Sequence, residues 1–345
     1  MEEILRIHAA RYPKMEPRDA VKLLYQATFG GGHILRDPEA AGKYLAEERR
    51  NTPKRKRDLV EDIGGGYVRV YLDSEEGEGL SDALLTKVFV LSNRTVPDAM
   101  PLFLMRLETL EEMTAAGRLP FTAEALGAYL EEYRREGYPM VSHTENYRAA
   151  YRPAYRVMKK EYARMLPLLT AIEASHEKTT VAVIDGRAAS GKTTLAGLLK
   201  QVYPSAAIVH MDDFFLPPAL RTPERYAEPG GNVDYDRFRQ EVSEKIGGGD
   251  FAYTRFDCSK MALADRVEVR DRGLIVIEGS YAMNPKLGLS PTVTVFSDVP
   301  PEMQLARIAE RDGEEAKKMF VSKWIPLEEA YFAAMKCREK ADIIL

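Results

Sequence analysis

Apolar positions recur at helical spacing through the first half of the chain and as short unbroken runs through the second, so two kinds of architecture are expected. From residue 1 to about 175 the pattern predicts a mostly helical domain. "PRDAVKLLYQATF" opens at Pro17, a residue suited to a helix start. Ser81 stands where it can cap "DALLTKVFVLS", Pro97 can begin a further helix that stops near Gly117, and Thr122 can cap a helix that ends at Gly137. The strong strand candidate in this half is "YVRVYL" at 67–72, with period-two alternation. A long helix is expected from about 154, ending in the polar segment "AIEASHEK" at 171–178, the expected joint.

Beyond the joint, "TTVAVIDG", "AAIVHM", "LIVIEG" and "TVTVFS" read as buried strands separated by helical segments such as "KTTLAGLLKQV", "DYDRFRQEVSEKI" and "PEMQLARIAERD". Alternation of this kind implies a parallel sheet covered by helices. The expected organisation is therefore a helical domain over 1–175 and an α/β domain over 176–345.

Composition narrows the class. The 345 residues allow two domains, and 45% hydrophobic with 30% charged content is that of an ordinary globular protein. A net charge of −4 argues against a chain wholly devoted to nucleic acid. Two cysteines, Cys258 and Cys337, imply no disulfide framework and a reducing compartment. The charged opening segment lacks the apolar core of a signal peptide, and no apolar run reaches the ~20 residues that span a bilayer, so a cytoplasmic protein is expected. The five histidines show no metal-ligand spacing with the cysteines, and no structural zinc is expected.

Three glycine clusters compete for the role of a phosphate loop: "TFGGGH" at 28–33, "DIGGGY" at 62–67 and "DGRAASGKTT" at 185–194. Gly186-Arg187-Ala188-Ala189-Ser190-Gly191-Lys192-Thr193 matches G-x-x-x-x-G-K-[ST], after a predicted strand and before a predicted helix. The glycines let backbone N–H groups turn inward around phosphates while the following helix, through Thr194, points its positive end at them. Lys192 would reach the outer phosphates, and the Thr193 hydroxyl would ligate Mg²⁺. "TFGGGH" lacks the lysine and follows a helical pattern. It reads as a helix C-terminus or as an anion nest beside His33, and "DIGGGY" as a turn leading into a strand.

The loop alone does not separate kinases from other nucleotide-driven proteins, but its companions narrow the field. No N-K-x-D or T-K-x-D guanine-recognition stretch occurs. Asp212 and Asp213 follow the strand "AAIVHM", at the edge where open α/β sheets bind ligands. A carboxylate there could take the proton of an attacking hydroxyl, or simply cap a turn. Glu278 ends "LIVIE" and could orient a metal's ligands. Arg307 and Arg311, four residues apart on one helix face, could neutralise charge on a transferring phosphoryl group or lie on a solvated face.

"VIDGRAASGKTT", "HMDDFF", "LIVIEG" and "RIAERD", in this order, resemble the uridine kinase, phosphoribulokinase and pantothenate kinase group of P-loop kinases, with the uridine kinase branch nearest. The resemblance covers about 178–345. It implies a P-loop NTPase-type parallel sheet, ATP with Mg²⁺ as donor and a small-molecule hydroxyl as acceptor. It also implies Asp212 as general base, Glu278 on the metal side, and Arg307 and Arg311 on a lid over the phosphates. The sequence departs from the uridine kinase pattern where that branch reads the pyrimidine with a tyrosine and a histidine. Here "TRFDCSKMALADR" offers Phe256 and Asp257, and no histidine follows His210. The loop "RTPERYAEPGGNVDYDRF" adds Arg221, Arg225, Asp234 and Asp236, with Asp213, as candidate substrate contacts.

In the first half, Tyr147, Tyr151 and Tyr155 recur every four residues beside Arg148, Arg152 and Arg156. Helical spacing would make adjacent stripes, bent near Pro153, that pack a domain joint or recognise a phosphate or nucleotide-like substrate. The basic run "RRNTPKRKRD" at 49–58 reads as a solvated loop or a nucleic-acid contact. The expected function is transfer of the γ-phosphoryl group of ATP to a hydroxyl, foremost of a nucleoside such as uridine. The alternatives are a pantothenate- or sugar-like alcohol as acceptor, or an ATP-switched nucleic-acid-binding protein. A small-molecule partner, no membrane partner and self-association into a homo-oligomer complete the expectations.

Overall fold

A computed structural model describes residues 1–32, 37–94 and 98–345; His33 and Pro97, which carried two of the readings above, lie outside the described residues. The chain divides into two compact units, Met1–Leu166 and Pro167–Leu345.

In the first unit the amphipathic segments fold as helices over Glu2–Arg11, Pro17–Phe29, Pro38–Asn51, Asp82–Ser92, Met100–Ala115, Ala123–Arg135 and Glu145–Tyr151. Ser81 and Thr122 cap their helices by accepting the amides of Leu84 and Ala125. The helix expected from Pro97 begins at Met100. The first glycine cluster terminates Pro17–Phe29: Gly30 is its C-cap, and its N–H bonds Gln26 O. Gly31 N then donates to the buried Asn93 side chain.

The unit also contains a three-stranded antiparallel sheet in the order β1 (Val60–Gly64), β2 (Tyr67–Tyr71), β3 (Tyr155–Lys159). The second glycine cluster is the β1–β2 turn. At Gly65, with φ of +64°, an added Cβ would lie 1.9 Å from the Ala27 carbonyl oxygen, so no larger residue fits. The long helix expected from 154 is absent. Helix Glu145–Tyr151 stops where Arg152 turns left-handed (φ 45°) ahead of Pro153, and Tyr155 and Arg156 lie on β3. Only short helices, Lys160–Ala163 and Leu166–Glu173, follow. Proline breaks the spacing, and β2 supplies a partner edge that favours the extended form.

β2 is buried at every position, including Arg69, which is 1% exposed. Register sets Glu61 opposite it on β1, and the Arg69 guanidinium also donates to Gln26 Oε1 at 2.9 and 3.2 Å. Tyr12, Tyr71 and Arg11 donate to the same Glu61 carboxylate. A second chain links Asp19 to His143 Nδ1 (2.8 Å) and His143 Nε2 to the Tyr155 hydroxyl (2.6 Å). The tyrosine stripe serves this core: Tyr147 stacks on His143, and Tyr151 packs edge-on against Tyr12. The basic run is likewise not a free solvated loop. Lys54 donates to Leu72 O, Arg55 and Arg57 flank the buried Asp73, and Arg57 lies over the Tyr71 ring.

The second unit holds a five-stranded parallel sheet in the order β5 (Ala207–His210), β8 (Leu274–Glu278), β4 (Thr180–Gly186), β9 (Val293–Ser297), β10 (Ile343–Ile344). An antiparallel hairpin, β6 (Phe251–Asp257) with β7 (Ala262–Val269), stands apart from it. β4 and β8 are fully buried, as their unbroken apolar runs require for central parallel strands. The chain leaves β4 for β5, returns to β8, then crosses to β9 and β10, so the order reverses about β4 and opens a crevice at its carboxyl end. Strand order and loop position are those of a P-loop NTPase-type parallel sheet flanked by helices. Among the described residues no helix is long and apolar enough to cross a membrane.

Candidate active site

The phosphate loop joins β4 to helix Lys192–Val202, whose bounds coincide with the predicted "KTTLAGLLKQV". Gly186 closes the strand with φ of +140°, and an added Cβ would sit 2.1 Å from the Ser297 carbonyl oxygen of β9. Gly191 caps the helix at φ 101°, and Ala189 takes a left-handed conformation between them. The first amides of the helix lack intrahelical partners, as at any helix start, the arrangement that receives an anion. Lys192 is folded back, its ammonium donating to Gly186 O and Arg187 O at 2.8 Å each. The Ser190 hydroxyl is buried without a hydrogen-bond partner among the described residues.

Three strand ends converge beside the loop. Thr193 Oγ1 donates to Glu278 at 3.1 Å, and His210 Nδ1 lies 2.6 Å from the same carboxylate. Register places His210 beside Glu278 across the β5–β8 pair. The hydrogen bond to Glu278 raises the His210 pKa above its usual value against the opposing effect of burial. A hydroxyl and a carboxylate at this spacing are hard oxygen donors, the set that suits Mg²⁺ held by few protein groups and by phosphates. Thr193 and Glu278 therefore fit the ion that the loop motif implies.

Asp212 and Asp213 lie on the single turn Met211–Phe214 after β5 but have different surroundings. Asp213 is buried and accepts the Tyr253 hydroxyl at 2.7 Å, with its backbone carbonyl held by Arg237. The Asp212 side chain has no hydrogen-bond partner among the described residues and keeps solvent access. Protein crowding strips water from it, and repulsion from Glu278 and Asp213 adds to that effect. Lys192 and His210 pull the other way, and the balance raises its pKa. Arg307 reaches the loop from helix Pro301–Asp312 and donates to Ala189 O at 3.1 Å. Arg311 pairs with Asp312 and also feels the charge of Asp212. Lys192, Thr193, Asp212, Glu278 and the two arginines thus belong to one neighbourhood. Thr194 is exposed on the first turn of the helix.

The remaining candidates are mostly engaged elsewhere. Arg225 donates to the carbonyls of Gly231 and Val233, and Asp234 caps helix Tyr235–Phe238. Asp236 pairs with Arg239, Phe256 is 2% exposed, and Asp257 accepts the amides of Ser259 and Lys260 in the hairpin turn. Arg221 uses Nε on Leu216 O and keeps its guanidinium over the Phe256 ring. Arg187 pairs with Asp298 and Glu329 and lines an open depression with Pro300, Arg338 and Leu345 at the carboxyl ends of β9 and β10.

Sequence reasoning missed the groups that hold the loop from behind. Asp185, the last residue before Gly186, is wholly buried and accepts four hydrogen bonds, from the amides of Gly186, Tyr281 and Met283 and from the Tyr331 hydroxyl. Ser280 and Glu328 were also passed over; Ser280 adjoins the "EG" pair, but nothing near Glu328 in sequence marks it. His210 lies two residues before Asp212, and its pairing with Glu278 needed the strand order.

No protein-family model matches the chain. Among solved structures, the chain is similar to a Bacillus stearothermophilus protein described as a possible uridine kinase, at 21% identity and a TM-score of 0.43, over 53% of this chain and 97% of that one. It is similar also to a Silicibacter sp. TM1040 protein, described provisionally as a fructose transport system kinase, at 21% identity and a TM-score of 0.45, over 53% of this chain and 97% of that one.

Proposed function

We propose that the Pro167–Leu345 unit transfers the γ-phosphoryl group of ATP to the hydroxyl of a small molecule. The observation that carries this reading is the junction of Thr193, Glu278 and His210 at the mouth of the phosphate loop, with the solvent-accessible Asp212 one turn beyond. The loop amides and Lys192 would bind the triphosphate, the ammonium exchanging the carbonyls of Gly186 and Arg187 for phosphate oxygens. Thr193 and Glu278 would hold Mg²⁺, which supplies charge neutralisation on the phosphates when bound. Asp212 would accept the proton of the attacking hydroxyl. Arg307 and Arg311 would stabilise charge on the transferring group. The depression beside Arg187 offers room for the nucleoside end of the donor.

A nucleoside such as uridine is the first acceptor to test. A second reading, a non-nucleoside alcohol, is favoured by the burial of Phe256 and the engagement of Asp257 in its own turn, which leave neither presented to a base. The test is a radiolabelled-ATP screen of nucleosides, vitamins and sugars with the full chain. Acceptor-dependent phosphorylation abolished by Lys192→Ala supports the reading. ATP turnover indifferent to every hydroxyl compound, together with salt-sensitive RNA or DNA binding, would replace it with the nucleic-acid alternative.

A further inference from the structure

One helix, Ile325–Met335, holds three positions of the strand–loop junction. The Tyr331 hydroxyl donates to Asp185 Oδ2 at 2.7 Å, and Glu329 pairs with Arg187. Glu328 Oε2 accepts the Ala188 amide at 3.0 Å, while its Oε1 accepts the Ser280 hydroxyl at 2.6 Å. Glu328 and Tyr331, three residues apart, share a helix face, and both are buried.

An inner amide of a phosphate loop has no helical or sheet partner, and left unpaired in a buried place it carries the penalty of a desolvated, unsatisfied donor. Here a side chain from a distant helix satisfies it. The amides at the helix start, from Gly191 onward, are the ones directed at an anion. We propose that Glu328 is a positioning residue: its carboxylate holds the Ala188 amide so that the loop keeps its phosphate-receiving shape before nucleotide arrives. This rests on the reading of the loop as a nucleotide site.

The carboxylate has a cost that gives the idea a distinct signature. Glu328 is a buried negative charge within electrostatic reach of Lys192, and Asp185 adds a second. Loss of water around Glu328 already favours its neutral form. If Lys192 turns to the phosphates, Glu328 loses part of its compensation. A neutral group of the same length should therefore serve at least as well as the carboxylate, whereas a shorter group should fail.

The experiment measures Mg·ATP binding by calorimetry, KM for ATP, kcat and melting temperature on the full chain. Glu328→Ala and Glu328→Asp should each weaken Mg·ATP binding by about tenfold or more, the loss of one satisfied buried amide. Glu328→Gln should stay within about threefold of the wild type, because its amide oxygen can still accept from Ala188 while the Ser280 hydroxyl reorients. KM for the acceptor should not move in any of the three. A purely structural role would lower the melting temperature without this split between ATP and acceptor. Wild-type affinity in the Ala and Asp variants overturns the proposal, as does a Gln variant as weak as Ala. If the Ala variant does not fold, the Asp variant carries the same test. Lys192→Ala separates the two levels. If it weakens Mg·ATP binding and the Glu328 variants do not, only the positioning role fails. If the wild type does not bind Mg·ATP, the nucleotide reading fails and takes the positioning role with it.

Discussion

Asp212 and Asp213 are neighbours in the chain with the same side chain, yet their surroundings give them different chemistry. Asp213 is spent on Tyr253, and Asp212 has no hydrogen-bond partner among the described residues. Replacing Asp212 by Asn should lower kcat by about 10²–10⁴-fold with little change in ATP affinity, the loss expected on removing a general base. Asp213→Asn should cost much less turnover. As the proposed base, Asp212 works only when ionised, and its pKa is raised by the protein groups crowded around it together with the charges of Glu278 and Asp213. Activity should therefore fall as pH drops through a value above 3.8, and a pH–rate profile on the wild type should show that acid limb. Both aspartates could be seen in the sequence as residues at a strand's carboxyl end. Which one was free could not, because Tyr253 comes from the separate hairpin forty residues on.

At the scale of elements, the β4–loop–helix unit is the part whose local sequence and final geometry agree throughout. Its weak point is steric. Gly186→Ala would place a methyl carbon 2.1 Å from the Ser297 carbonyl, in a backbone conformation that side chains avoid. The strained backbone alone should cost about 1–3 kcal/mol, visible as a lower melting temperature of the C-terminal unit and a loss of nucleotide binding. β3 shows the opposite relation between sequence and structure. Residues 147–156 carry helical spacing, but Arg152 and Pro153 end the helix, and Tyr155–Lys159 pair with β2 in register, Tyr155 opposite Tyr71. Sheet pairing of this kind is non-local and leaves a weak trace in a window of ten residues.

On the scale of the molecule, two compact units follow one another in the chain, and each should fold when expressed alone, 1–166 and 167–345, with a cooperative unfolding transition. The N-terminal unit should be acid-sensitive. Burial holds the pKa of both His8 and His143 down to about 4, so below about pH 6.5 the unfolded chain takes up protons that the folded one refuses. Stability should fall as pH is lowered through that window, by up to about 3 kcal/mol for each histidine. Glu61, held at about 2 by Arg69 and its other partners against burial, extends the loss below its ordinary value near 4.5. Arg69→Met removes the buried cation from Glu61, which keeps Arg11, Tyr12 and Tyr71, and takes both guanidinium donors from Gln26 Oε1; it should destabilise the fragment by about 1–3 kcal/mol in a denaturant titration. By itself the sequence determined the alternating buried strands and helices of the second half, the loop at 186–193 and the helix caps at Ser81 and Thr122, because each is signalled by residues within a few positions of one another. Tertiary structure decided the rest. It set Glu328 on the Ala188 amide, His210 on Glu278, and Arg69 in the core of the first unit, since each of these pairs a charge with a partner that only folding brings near, and burial then makes the pairing obligatory.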